Sequence, residues 1–411
     1  MSVRITATTG AMPVTPAPEA SQRSSAIASL PDGGYLILLS DDRVGNGLLV
    51  QRFDALGHRS GDPISIGQWS AGYSHFHDFI VTSDSKLVLF VRGSDGIEYQ
   101  VFSLEGEPLT NRLLANSALE GTESNPTVTV LADGGWLLTW QEGDGSGQGV
   151  FGRLFESSGN PRGDDFPINS LTQDNQTLAS VAALPDGGFV VAWRTTDGVP
   201  RVLARQYDAD GQPHGPESAV NSFGDDPHVA HLDDGGYVIT YLAGTVHARF
   251  YDDTGQPLGA GFEISSGPSG YFWHATASLD TGGFVVVWSR DNPSTGAAIE
   301  AQAFDASGAP TGPPIEIVGP GTLIHSTPEL DVMGLARVDG ALAPVAQGCD
   351  GPRRLEDAGV CSPVFSRTTS RGLLAARGHG CRARAPLRQG RDAPIGRQAA
   401  EAPASAKASA A

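Results

Sequence analysis

Histidine, aspartate and tryptophan at non-periodic positions are the residues of this sequence that could do chemistry. When the copies of a recurring stretch are aligned on their turns, Ser25, His77, Pro126, Ala179, Pro227 and His274 fall on one equivalent position. His77 and His274 stand where the other copies have smaller residues. His75, Asp78, Asp226, His228 and His231 lie close by in sequence. Imidazole together with carboxylate suits a transition-metal ion. The competing reading is a set of solvated loop histidines. His77 and His274 belong to copies that are not neighbours, and no His-x-x-x-His pair supports a local site.

Trp69 and Trp273 also break the repeat, each near the entry to a first strand. An exposed indole face suits a pyranose ring. The ligand-binding candidates are therefore Trp69, His77, Asp226, Trp273 and His274, with no catalytic residue assigned and the metal left open. Acidic pairs at Asp164-Asp165, Asp225-Asp226 and Asp252-Asp253 could offer oxygen ligands to calcium. None matches an EF-hand, and calcium is the one cofactor the sequence suggests. No Gly-x-Ser-x-Gly elbow, phosphate loop, His-Glu-x-x-His or dinucleotide fingerprint is present. A paired-carboxylate glycosidase stays open, because its acids come from distant strands.

These candidates hang on a strongly periodic chain. LPDGGFVVAW (184–193) recurs as LPDGGYLILL (30–39), SDSKLVLFV (83–91), LADGGWLLTW (131–140), LDDGGYVITY (232–241) and LDTGGFVVVW (279–288). Asp-Gly-Gly predicts a tight hairpin turn, and the apolar run after it a strand buried on both faces. A second signal follows each copy, as in VQRFDALG (50–57) and ARQYDADG (204–211). Its glycines, from Gly57 to Gly308, are spaced 49, 53, 52, 44 and 53 residues apart. Short strands such as FPIN (166–169) and FEIS (262–265) close each unit. Four antiparallel strands in some fifty residues, repeated, predict an all-β propeller. Six four-stranded blades are recognisable, near 21–68, 69–118, 119–171, 172–223, 224–267 and 268–319. Asp32, Asp133, Asp186 and Asp234 recur with the turns, and Asp54, Asp208, Asp252 and Asp305 with the second signal. Recurrence in each blade is what turn-capping predicts. Trp140, Trp193, Trp288 and Tyr241 likewise read as packing between blades rather than as sugar platforms.

Residues 1–20 form a polar lead in which VRITA (3–7) could be a strand closing the ring. TPELDVM (327–333) begins a seventh copy, but no Asp-Gly-Gly follows. Residues 335–411 hold 12 of the 27 Lys and Arg, 6 of the 46 Asp and Glu, and all three cysteines. The expectation is propeller repeats over 21–333, then a disordered basic Ala/Arg/Gly/Pro-rich tail over 334–411. A broken seventh blade, lost to a shifted reading frame, would explain the change. The formal net charge of −19 argues against nucleic acid. The N-terminus lacks the apolar core of a Sec signal peptide, and no apolar run is long enough to span a bilayer. No membrane insertion is expected.

LADGGWLLTWQEGDGSGQGVFGRLFESSGNPRGDDFPINS (131–170) resembles the repeat arrays of large secreted bacterial proteins of the RTX-like, type I-exported class. The resemblance covers about residues 21–333. It implies an extracellular or cell-surface module, often set beside calcium-binding or adhesin domains. The calcium-binding nonapeptide itself is absent here. The function expected is non-enzymatic binding or adhesion by a monomer, to carbohydrate or a cell-surface protein. The alternatives are a polysaccharide hydrolase or lyase on a propeller scaffold, and a structural spacer.

Overall fold

The computed structural model describes residues 4–7, 22–41, 47–69, 77–117, 123–265, 274–279, 282–292, 296–318, 331–338, 341–349, 358–361 and 365–368. Side chains are described within 26–39, 47–69, 77–117, 123–265, 274–279, 282–289 and 298–317. Of two compact units, 1–376 and 377–411, the second lies outside the described residues.

Six antiparallel four-stranded sheets run in chain order, each with its strands in sequence order. Their inner strands are Gln22–Ser29, His77–Val81, Ser124–Val130, Gln176–Ala183, Asp225–His231 and His274–Ser278. Each inner strand touches that of the next sheet, as in a β-propeller. The six four-stranded blades expected from the repeat are present.

The Asp-Gly-Gly turn has a physical reason at each residue. Asp186 Oδ1 accepts from the Gly188 amide at 2.9 Å, and Asp32, Asp133 and Asp234 do the same in their blades. The first glycine takes the left-handed backbone, with φ +95° at Gly187. The second must be glycine for a different reason. A Cβ on Gly188 would sit 2.3 Å from the Tyr207 carbonyl oxygen, which ends the third strand. The aromatic after the turn then stacks on the aromatic of that third strand, Phe189 on Tyr207 at 5.0 Å and Tyr35 on Phe53 at 4.9 Å.

The second strand is buried on both faces, as the unbroken apolar run requires. Phe189, Val191 and Trp193 pack against Leu137, Val150 and Ile168 of blade 3. Val190 and Ala192 face Val229 and Ile239 of blade 5. Trp140, Trp193 and Trp288 are fully buried between blades, so they offer no face to a sugar. Just past the outer strands of blades 2 to 5, a polar residue ties the chain inward. Asn116, Asn169, Asn221 and Ser265 accept from the amides of Ile97, Val150, Val202 and Val246.

Beyond residue 330 the backbone continues as strands Asp331–Val338, Ala341–Cys349, Ala358–Cys361 and Phe365–Thr368. Together with Arg4–Ala7 they make a five-stranded sheet. Its strand Asp331–Val338 touches the inner strands of both blade 6 and blade 1. The N-terminal strand pairs with Phe365–Thr368, rather than with Ile315–Val318 of blade 6. The hairpin due after TPELDVM therefore does occur, with Val338 paired to Ala341. Like the second copy, this stretch lacks the leucine and double glycine of copies 1 and 3 to 6.

Candidate functional site

The inner strands of blades 1, 3, 4 and 5 begin with a bulge. Pairing with the second strand slips between Ser124 and Thr127 in blade 3, between Thr177 and Ser180 in blade 4, and between Asp225 and His228 in blade 5. One residue of each bulge, Asn125, Leu178 or Asp226, takes a left-handed backbone, with φ +48°, +55° and +48°. Two positions later the side chain reaches the next blade. Ser180 Oγ accepts from the Val229 amide at 3.0 Å, and Thr127 donates to the Ala179 carbonyl. Asp78, the equivalent residue of blade 2, accepts from the Val128 amide at 2.9 Å. Burial pushes the Asp78 carboxyl up to about 7, against the pull of the Val128 and Phe79 amides.

In blade 5 this architecture places Asp226 at the bulge and His228 at the reaching position. The neighbouring strand of blade 6 begins with His274. The three side chains converge, with one ligand atom from each lying within 4.8 Å of the others. Asp226 Oδ2 is 3.5 Å from His274 Nδ1, and Asp226 Oδ1 is 3.8 Å from His228 Nε2. The two imidazoles meet edge to face, with centroids 4.6 Å apart. The His274 side chain is wholly buried, that of Asp226 is 15% exposed and that of His228 32%. Behind His274, Nε2 lies 3.0 Å from Thr240 Oγ1, which lies 2.6 Å from Thr276 Oγ1. Burial raises the Asp226 carboxyl, but His274 and His228 outweigh it and hold it below the ordinary carboxylate range. Burial, reinforced by His274, brings the His228 imidazole down to about 4.

Of the residues singled out in the sequence, Asp226 and His274 thus come together. His77 heads the inner strand of blade 2 and is not part of the group. Trp69 is 3% exposed, packed with Ile66 and Phe79 between blades 1 and 2. Arg112 covers its ring at 4.0 Å, so no free face remains for a sugar. Trp273 lies outside the described residues. The acidic pairs do not converge. Asp165 accepts from Ser117, Asp225 pairs with Arg194 at 3.1 Å, and Asp252 caps its own turn through Thr254 and Gln256. His228 and Thr240 were missed as site residues. The signal for His228 was its alignment with Asp78, Thr127 and Ser180, the positions that contact the following blade.

At the other end of the inner strands, where they enter the Asp-Gly-Gly turns, blades 3 to 6 surround a cavity of about 530 Å³. Thr129, Ala183, Val229, His231, Thr276 and Ser278 are among its walls. No aspartate or glutamate lines it among the described residues.

No family model and no curated protein sequence matches the chain. Solved structures do. Raptor from Chaetomium thermophilum is similar with a TM-score of 0.56 at 15% identity, over 89% of this chain and 30% of that one. The polysaccharide lyase Uly1 gives 0.54 at 9% identity, over 84% and 90%. A protein of unknown function from Dyadobacter fermentans gives 0.50 at 12%, over 89% and 99%. These likenesses show a shared fold.

Proposed function

We propose that this chain is a non-enzymatic binding module of the exported repeat class its sequence resembles. It works at the cell surface or outside the cell, and holds a carbohydrate or a surface partner at one mouth of the propeller. The observation that carries the reading is the cavity at the turn end of the inner strands. Hydroxyls of Thr129, Thr276 and Ser278 and strand-end backbone groups give it hydrogen-bonding capacity in a concave setting. Glycoside hydrolysis needs two carboxyl groups about 5–10 Å apart across the bond, and the described lining supplies neither.

The second reading is an enzyme acting on polysaccharide. Its support is that a polysaccharide lyase is built on this propeller fold. A glycan array with the purified full chain, run beside reducing-end and unsaturated-product assays on acidic and neutral polysaccharides, separates the two. Retention of a glycan class without product is the expected result. Product formed in proportion to protein, and lost in a single cavity-lining variant such as His231→Gln, would replace binding by catalysis. Silence in both assays would leave the structural spacer.

A further inference from the structure

We propose that Asp226, His228 and His274 bind one divalent transition-metal ion between blades 5 and 6. The first argument is an electrostatic one. Asp226 Oδ2 and His274 Nδ1 are buried, and neither makes a hydrogen bond. They face each other at 3.5 Å, too far for a strong charge-assisted bond. A buried carboxylate oxygen left in this state is costly. In the tautomer whose Nε2–H donates to Thr240 Oγ1, the Nδ1 lone pair of His274 faces that oxygen, whereas an Nδ1–H would attract it. Two lone pairs aimed at one small space are the arrangement a cation resolves.

The second argument is geometric. Donors around a tetrahedral ion with bonds near 2.0–2.1 Å stand about 3.3 Å apart. Asp226 Oδ2 and His274 Nδ1, at 3.5 Å, are already near that spacing, and one donor from each of the three residues lies within 4.8 Å of the others, so side-chain adjustment of about 1.5 Å or less closes the set. The third is the supporting shell. A ligating imidazole is normally fixed through its other nitrogen, and the Thr240–Thr276 hydroxyl pair does this for His274. The left-handed backbone at Asp226 has the same origin as those at Asn125 and Leu178, the repeated bulge. Only in blade 5 does that bulge present a carboxylate beside two imidazoles, among the described residues.

Two imidazoles and one carboxylate select zinc, cobalt, nickel or iron(II) over calcium or magnesium, which require mostly oxygen donors. Three protein donors leave at least one coordination position. It opens beside His228, the least buried member of the group. A bound ion would fasten two blades together and hold a water or a ligand donor at that rim.

The test uses full-length protein stripped with chelator and titrated with cobalt(II) as the probe. The expected result is one equivalent bound, a visible absorption spectrum of a low-coordinate nitrogen–oxygen site, displacement by zinc, and no displacement by millimolar calcium. His228→Gln, at the least buried position of the group, is expected to fold and to weaken binding by about 100-fold or more, beyond the 10–100-fold of an outer-shell change. Asp226→Asn and His274→Gln are expected to abolish the spectrum. Exposed His214→Gln should leave it unchanged. Should the buried variants not fold, a zinc-induced rise in the melting temperature of the parent protein that disappears in His228→Gln decides for the site. Absence of a cobalt spectrum in the parent, or one indifferent to His228→Gln, would overturn the proposal.

Discussion

At Asp78 the blade-to-blade contact carries an electrostatic conflict. Its carboxyl is buried and raised to about 7, although two amides donate to it. In the unfolded chain an aspartate releases its proton near about 3.9. The folded protein therefore holds an extra proton between those values, and stability falls as pH rises from about 4 to about 7, levelling above. The turn aspartates act in the opposite sense. The Gly34 amide, with Arg52, holds Asp32 low against burial, and the Thr254 hydroxyl does so for Asp252. Their contribution is present above about pH 4 and is lost as pH falls below it. Denaturant titrations from pH 3 to 8 should show both limbs. Asp78→Ser keeps a short acceptor where Ser180 serves blade 4. It should flatten the limb between pH 4 and 7 and equal or exceed the parent by about 1–2 kcal/mol at pH 8. An unchanged slope would show that Asp78 does not titrate in this range. At this scale the sequence was only partly legible. Asp226 and His274 stood out because they broke a repeat. Their meeting depended on the order of blades and on a backbone bulge that no residue type announces, since Asn125 and Leu178 share it. Trp69 broke the repeat too, yet its reason is a gap between blades that its ring fills.

The hairpin is the element that makes each blade. Its two glycines do separate work, one through φ and one through the close approach of a carbonyl. Gly188→Ala should cost about 2 kcal/mol or more, because Tyr207 backbone cannot yield without breaking the strand pairing. Gly163→Ala, where an added Cβ meets nothing, should be within about 0.5 kcal/mol of neutral. Equal effects of the two in chemical denaturation would contradict this account of the motif. Trp193→Ala, emptying the contact between blades 3 and 4, should cost about 3–5 kcal/mol. Blade 2 marks the limit of the motif. Lys86 stands in the place of the second glycine and Leu87 in that of the aromatic, and Thr82 holds the turn by bonding Asp84 and the Lys86 amide. The strands and their order were legible throughout, because turn chemistry and two-faced burial point to the same places. The bulges were not, since residues as different as Asn125, Leu178 and Asp226 take the same left-handed backbone there.

For the whole molecule, six sheets alone would leave blade 6 and blade 1 each with an uncovered face. The sheet formed by Arg4–Ala7 and the strands of 331–368 lies against both. Its presence was obscured in the sequence by a different composition, with few aromatics and no double glycine. A ring whose last sheet draws on both ends of the chain is closed as a clasp is closed. The most direct measurement is a cross-link across that clasp. Ile5 faces Arg367 in the register of the two strands, and directly opposed residues of an antiparallel pair stand about 4.5–5.5 Å apart at Cα. Full-length protein carrying Ile5→Cys and Arg367→Cys, with Cys349, Cys361 and Cys381 changed to serine, should oxidise to an intramolecular disulfide in the monomer and unfold at a higher denaturant concentration than its reduced form. Failure to form that bond under oxidation, or its formation only between molecules, would contradict a propeller closed through its own termini.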